Sequence, residues 1–406
     1  MADERPILIA GGGLGGLSAA LALGRHGRSV RVLEQAAKFA PIGYGIQLGP
    51  NVFPMFERLG ITDAVMAEAT IPKNILMLDA LSGEEVTHIP TGAKFRARFT
   101  HPYIIIHRED IHRVLIDACA AVPQIVMEGG AEVVSFEDTG AGVRVALADG
   151  RHVEGAALIG ADGLRSAVRA KLVVEGEPRP IGYVAHRTIR PMSDMPPDIP
   201  YRDEVVLWGG PGFHIVHYPL RHGTLFNIVA VFRTATFGER LDPAAYTAEV
   251  RNTYRDAQPV MKTLTDMMEL GRRWIIADRD PIRHWGRGRV VLLGDAAHPV
   301  LQSFAQGACM AIEDGVLLGE LVEQSGGDIA QAFKRYQDER LLRTSRLVLE
   351  SRQLWEFYHA EGIARDVRND TCARQTEDDV FRCLAWLYDG ISLPAAVKSQ
   401  TTTCER

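Results

Sequence analysis

The sequence predicts an α/β fold in which a Rossmann-like nucleotide-binding domain is interleaved with an antiparallel-sheet domain and followed by C-terminal helices. Three observations predict it. A glycine-rich turn joins a strand to a helix at residues 7–26. From about Ile181 to Trp285 the alternating strand–helix pattern gives way to a meander of strands. Near residue 290 an apolar strand runs into a second acidic turn and a helix start, returning the chain to the first domain. The boundaries read as 1–180 and 286–325 for the two parts of the nucleotide domain, 181–285 for the sheet domain between them, and 326–406 for a helical region and tail.

The first element is the most specific. Ile7 to Ala10 form an apolar strand, Gly11-Gly12-Gly13-Leu14-Gly15-Gly16 follows, and a helical stretch runs from Leu17 to His26. A second strand, Ser29 to Leu33, ends at Glu34. Gly11, Gly13 and Gly16 make the G-x-G-x-x-G fingerprint in its strand–turn–helix context. Gly11 permits the tight turn, Gly13 lets backbone approach a pyrophosphate, and Gly16 lets helix and strand pack closely. Glu34 stands at the distance from which an acid accepts a ribose 2′-hydroxyl. The fingerprint indicates a dinucleotide without separating FAD from NAD.

Further along, Ile75 to Asp79 and Glu84 to Ile89 read as strands, and Ile104 to Arg108 leads into a helix. Val133 to Phe136 and Val143 to Leu147 alternate with period 2, as a hairpin does, and Ala156 to Ile159 ends in Gly160-Ala161-Asp162-Gly163. In the middle region the strands are Tyr183 to Ile189, Glu204 to Trp208, Phe213 to Tyr218 and Leu225 to Phe232; helices near Pro243 to Tyr254 and Val260 to Leu270 follow. From Gly307 to about Ala364 the chain is mostly helical. Leu342, Leu347, Leu349 and Leu354-Trp355 lie among charges there. Their periodicity does not separate core packing, the default, from a homodimer surface. Residues Ser399 to Arg406 read as a frayed tail.

Composition sets limits. With 406 residues, 46% hydrophobic and 24% charged, the chain can bury a large core. A net charge of −6 without a basic run argues against a nucleic-acid partner. No apolar segment is long enough to span a bilayer, and Met-Ala-Asp-Glu-Arg-Pro does not read as an export signal. The five cysteines, Cys119, Cys309, Cys372, Cys383 and Cys404, are odd in number and dispersed, as expected of reduced thiols in a cytoplasmic protein without a zinc site.

Taken in order, Gly11–Gly16 with Glu34, then Gly160-Ala161-Asp162-Gly163-x-x-Ser166-x-x-Arg169, then Gly294-Asp295-Ala296-Ala297-His298-Pro299, the motifs resemble the single-component FAD-dependent aromatic hydroxylases of the p-hydroxybenzoate hydroxylase fold. The resemblance extends to about residue 385. It implies FAD as cofactor, NADH or NADPH as co-substrate, and a small aromatic acid and O2 as reactants. By the same resemblance Gly11, Gly13, Gly15, Gly16 and Glu34 bind the ADP half of FAD. Asp162 touches FAD and the nicotinamide donor, Asp295 binds ribityl and pyrophosphate, and the helix start at Gly307-Ala308 supports the flavin ring. Arg108 resembles the family's arginine on the phosphate–ribityl chain. As a cation beside a positive helix end it is also electrostatically misplaced unless an anion binds there. Gln47 lies where the family's loop meets the ribityl chain and isoalloxazine.

On the substrate side, residues two apart in a strand share a face. His214, Val216 and Tyr218 therefore point one way, and Phe213, Ile215 and His217 the other, with His217 read as a solvated or core-satisfied histidine. His214, expected to titrate near neutrality, is the candidate base for a phenol. Tyr218 and Gln302 would orient the phenolic oxygen and carboxylate. Where relatives carry a proline, a glycine and an asparagine, this chain has Gln302, Ala305 and Cys309, so the loop's geometry at the flavin is left open. The set His214, Tyr218 and Gln302 is more similar to the members that hydroxylate 3-hydroxybenzoate para to its phenol, through a flavin hydroperoxide, than to the decarboxylating salicylate or 6-hydroxynicotinate hydroxylases. A non-catalytic flavin- or NAD-sensing module, the rival from another class, would not require the His214–Tyr218 face.

Overall fold

A computed structural model describes residues 5–39, 43–234, 236 and 242–395. The expected tail, Ser399 to Arg406, lies outside the described residues.

The strand Ile7–Ala10 is buried along its whole length, as a central strand covered on both faces must be. It pairs in parallel with Val30–Glu34 on one side and with Ala157–Gly160 on the other, and Ala157–Gly160 pairs in parallel with Val290–Leu292. Because these strands run the same way, the glycine turn, the Gly160–Gly163 turn and the Gly294–Pro299 loop all leave from one edge of the six-stranded sheet. The three motifs, far apart in sequence, thus meet at the carboxyl ends of adjacent parallel strands, where ligands bind in open α/β sheets.

Two helices fix that edge. Leu14–Arg25 carries the glycine turn and Gly307–Gln324 follows the third motif. They touch along a seam of small residues. A Cβ on Gly315 would stand 2.7 Å from the Ala19 backbone, and one on Gly319 only 2.5 Å from the Ala22 side chain. Ser18, Ala19, Ala22, Gly315 and Gly319 therefore let the backbones approach closely.

The second sheet has seven strands, in the order Trp274–Asp278, Arg179–Pro191, Leu225–Arg233, Phe213–Leu220, Val205–Gly210, Asn74–Asp79, Glu85–Pro90. Two corrections to the sequence reading follow. The sheet domain is not confined to 181–285, because residues 74–90 add two strands to it and its long strand starts at Arg179. Nor is the sheet wholly antiparallel: Val205–Gly210 runs parallel to Asn74–Asp79. That pairing needs no hairpin, so no turn signal announces it.

The outer face carries Phe213, Ile215, Phe226, Ile228 and Phe232, packed on helices Pro243–Thr253 and Pro259–Asp266 through Tyr246, Val250, Tyr254, Met261 and Leu264. His217 belongs to that face and is a core histidine: Trp208 Nε1 donates to its Nε2 at 3.2 Å, it stacks on Phe226, and burial lowers its pKa to about 3. Of the C-terminal apolar residues, Leu347 and Trp355 are core, whereas Leu342 and Leu349 are exposed. Helices continue beyond the expected end, through Gly362–Cys372 and Glu377–Tyr388. No helix of the described residues is long and apolar enough to cross a membrane.

Candidate active site

The two sheets enclose a cavity of about 710 Å³. One half of it is the motif edge. Gly11 takes φ +104°, a conformation glycine adopts without the Cβ clash that other residues suffer, and sits against the Ala161 carbonyl. Gly13 faces open space, with no atom within 4 Å of where its Cβ would stand, and Gly13, Leu14, Gly15 and Gly16 line the cavity. The first-turn N–H groups of the helix are thus presented to whatever fills it. Glu34 does not line the cavity. It braces the turn, accepting Gly12 N–H at 2.7 Å and Ala36 N–H at 2.9 Å.

Arg108 opens the helix Arg108–Ala120 and faces the cavity; its backbone N–H donates to the Tyr44 carbonyl at 2.9 Å, but its guanidinium forms no hydrogen bond or ion pair with any described residue. Although exposed, an arginine at a helix N-terminus is unfavourably placed beside the positive dipole end without a bound anion. Asp295 is exposed to the same space, while the protein packed around it raises its carboxyl pKa against the opposing pull of His298 and Arg108. Gly307 and Ala308 line the cavity beside it.

Asp162 is tied into its own turn. Its neighbours Ala161 and Gly163 line the cavity, but its own carboxylate accepts Ser166 Oγ at 2.5 Å and Val168 N–H at 3.2 Å. It shapes the turn. Arg169 of the same motif is buried, and its Nη1 donates to the carbonyls of Ala296 and Ala297 at 2.9 and 2.7 Å. The second motif therefore braces the loop of the third.

The other half of the cavity is the inner face of the seven-stranded sheet. Arg187, Val229, Val216, Leu207, Met77 and Thr87 are successive register partners across six strands, and all line it. His214 and Tyr218 flank Val216 on its strand and line the cavity too, as the period-2 reading requires. Tyr218 stays protonated: burial raises its phenol pKa further than the Arg187 charge and the Gln47 amide pull it down. Gln47 is drawn to this side as well, accepting Tyr103 Oη at 2.7 Å.

His214 departs from expectation in one respect. Burial, reinforced by His359, holds its pKa well below the usual 6.5, so the imidazole is neutral rather than half-charged near pH 7. Its Nδ1 lies 2.8 Å from His359 Nε2, which leaves Nε2 without a partner among the described residues. Gln302 is not a free carboxamide: Arg187 Nη2 donates to its Oε1 at 3.0 Å, so its NH2 group remains to donate. Ala305, where relatives carry glycine, takes the left-handed conformation itself (φ 54°, ψ 30°). Cys309 is buried and its thiol pKa is pushed up to about 12, the behaviour of an inert small hydrophobe.

Residues 4–351 match the model of a family described as "FAD binding domain". The chain is 42% identical over 385 residues to the 3-hydroxybenzoate 6-hydroxylase of Polaromonas naphthalenivorans (strain CJ2), covering 95% of this chain and 96% of that protein. It is 40% identical to the 3-hydroxybenzoate 6-hydroxylase of Klebsiella oxytoca, over 96% and 97% of the two. The chain belongs to the FAD-dependent aromatic hydroxylases. Among solved structures, Klebsiella pneumoniae HpxO complexed with FAD and uric acid superposes with a TM-score of 0.83 at 26% identity, over 96% of this chain and 98% of that one.

The cofactor of such a hydroxylase fits what the motif edge offers. The open side of Gly13 and the N–H groups behind it suit a pyrophosphate, Arg108 would supply a countercharge, and Asp295 suits a hydroxylated chain. FAD is the group this half of the cavity is built to hold. The structure brings His214, Tyr218, Gln302 and Gln47 to the cavity and adds two residues the sequence did not single out, Arg187 in its lining and His359 against His214. Nothing local marks Arg187; only its place in the cross-strand row with Val229 and Val216 turns it inward.

Proposed function

We propose that the protein converts 3-hydroxybenzoate to 2,5-dihydroxybenzoate, with NADH or NADPH as reductant and O2 as oxidant. The balance is one aromatic C–H, one O2, one NAD(P)H and one proton in, and one phenol, one water and one NAD(P)+ out. The reading is carried by one observation: a half-buried arginine (Arg187) and a neutral imidazole (His214) share a wall facing the flavin half of the cavity. The names of the relatives described above support it.

Arg187 is the group for the carboxylate, as a guanidinium forms two parallel bonds to it. The NH2 group of Gln302, held in place by Arg187 through Oε1, donates beside it. Tyr218, fixed as a donor by its raised pKa, orients a substrate oxygen. Bound FAD supplies the oxygen atom, taken from O2, that the ring attacks. His214 Nε2 accepts the phenolic hydrogen. A phenol of pKa about 10 does not surrender a proton outright to an imidazole so hard to charge. The proton therefore moves as the ring attacks, and His214 pushes electron density into the ring.

Purified protein with NADH, O2 and a panel of hydroxybenzoates tests the reading. 2,5-Dihydroxybenzoate from 3-hydroxybenzoate is expected. Turnover of salicylate with loss of CO2, and none of 3-hydroxybenzoate, would overturn it.

A further inference from the structure

We infer that His359 is a positioning residue for hydroxylation: it accepts the Nδ1–H of His214 and thereby fixes the tautomer in which His214 turns a lone pair, on Nε2, to the substrate phenol. The inference rests on His214 as the proton acceptor of the proposed reaction and assigns the group that makes it one.

His359 follows the helix Ile329–Tyr358, far from any motif, and is buried. Its Nε2 stands 2.8 Å from His214 Nδ1, with the two rings inclined by only 26°. Tyr183 stacks on His359 at 4.8 Å, and Trp355 meets both imidazoles edge-on, at 5.0 Å from His359 and 5.3 Å from His214. The pair is clamped.

Both rings are neutral. Burial, with the Arg233 charge, takes His359 to about 3, and burial, with His359, takes His214 well below its usual value. One hydrogen therefore lies between them, and two arrangements exist. If His359 donated, His214 would present Nε2–H to the cavity and could not receive a proton. If His214 donates, its Nε2 is open. The other nitrogen of His359, Nδ1, is buried and has no hydrogen-bond partner among the described residues. Only the second arrangement leaves His214 able to receive the phenol's proton, so the proposed reaction requires His214 to donate through Nδ1 and His359 Nε2 to accept. When the phenol's proton reaches His214 Nε2, the O–H electron pair moves into the ring and the new positive charge is shared through Nδ1–H with His359. The other titratable or charged groups around the pair are Tyr183 on the strand Arg179–Pro191, Tyr358 on the helix before His359, and Arg233 at the end of Leu225–Arg233.

His359→Phe keeps a ring for Tyr183 and Trp355 but removes the acceptor; His359→Gln returns an acceptor oxygen. The measured quantities are FAD content, 3-hydroxybenzoate affinity from the flavin absorbance change, and hydroxylated product per NADH from pH 6 to 9.5. The expected result for His359→Phe is FAD and substrate bound as in the wild type. Hydroxylation falls about ten- to hundredfold, within the worth of a positioned general base, and the lost oxygen appears as hydrogen peroxide. Its product yield climbs as pH approaches the phenol's own pKa of about 10, because ionised substrate no longer needs the acceptor. His359→Gln recovers most of the yield at neutral pH. Wild-type yield and pH profile in His359→Phe would overturn the inference. So would equal losses in both variants without recovery at high pH, which is what mere packing predicts. Should His359→Phe lose FAD, His359→Met carries the same comparison in a more adaptable side chain. Failure of the wild type to hydroxylate 3-hydroxybenzoate is a separate outcome: it sinks the proposed reaction before any variant is made.

Discussion

Replacing Arg187 by methionine separates substrate binding from folding. Burial lowers the pKa of this guanidinium, and its one hydrogen bond to a described residue goes to the neutral Gln302 amide. Without substrate it is an uncompensated charge, so an apolar side chain of similar length should leave the protein as stable as before or more so. With a carboxylate in place the sign reverses. Truncating one partner of a buried, hydrogen-bonded charge pair costs about 2–5 kcal/mol, which is roughly 30-fold to several-thousand-fold in affinity. Titrating the flavin absorbance with 3-hydroxybenzoate and with 3-hydroxybenzyl alcohol, which lacks the charge, measures this directly. The wild type should favour the acid by that factor, and Arg187→Met should bind the two about equally. Thermal unfolding of the substrate-free protein provides the control. The reasoning fails if the variant still prefers the acid, or if it melts lower and loses both ligands alike.

Arg108→Ala should weaken FAD binding by roughly 10- to 100-fold, the worth of a hydrogen bond to a charged group of about 1.5–3 kcal/mol; flavin fluorescence on dilution reads it, and unchanged retention would refute the role. Ala305→Gly relieves a left-handed alanine worth about 1–2 kcal/mol while adding about 0.5–1 kcal/mol of unfolded-state entropy. Denaturant unfolding should therefore show a net gain of no more than about 1.5 kcal/mol, and Ala305→Val a clear loss. Asp79 is buried and accepts from Arg365 Nε and Nη2 and from Arg368 Nη2, each at 2.7 Å, pinning the helix Gly362–Cys372 to the sheet. Asp79→Asn should destabilise by about 3–5 kcal/mol. Burial would raise the Asp79 pKa, but Arg365 and the N–H groups of Ser82 and Leu81 hold it well below the carboxylate range. With the folded value below the unfolded one, its contribution is complete above about pH 4 and is lost as pH falls further. Acid unfolding of the variant should lack that portion.

What the sequence made legible was local. The fingerprint at Gly11–Gly16 needs only a strand, a turn and a helix in succession, and the shared face of His214, Val216 and Tyr218 needs only the pleat of one strand. Both appear in the structure as read. What escaped depends on contacts between distant segments. Arg187 sits in an ordinary strand, Ala185-His186-Arg187-Thr188, and its inward direction follows from pairing opposite Val229. His359 reaches His214 across 145 residues. The parallel join of Asn74–Asp79 to Val205–Gly210 has no turn to betray it. Asp162 is ambiguous in the sequence for a related reason: an Asp at a helix start satisfies backbone and ligand with the same chemistry, and only the structure shows Ser166 Oγ donating to it.

The charges that line the cavity divide the labour of the site. Among the described lining residues the arginines are Arg108 and Arg187, and the carboxylates are Asp295 and Glu350, the latter paired with Arg346 at 2.6 Å. The polar groups of the sheet wall are otherwise neutral: Tyr218 holds its proton, and His214, with His359 behind it, is uncharged. In the proposed reaction Arg108 would answer to the cofactor and Arg187 to the substrate carboxylate, which would spend its charge. Negative charge growing on the phenol oxygen must then be met by neutral donors and by the proton moving to His214. Binding and rate should therefore separate by residue. Removing the Arg187 charge should raise KM with less effect on kcat, because its ion pair exists before and during reaction alike. Removing the His214 acceptor should lower kcat and the yield of hydroxylated product while leaving KM nearly unchanged, because its interaction strengthens only as the ring attacks. A variant of His214 that changed KM alone would place the imidazole in substrate binding and leave the hydroxylation step without a base.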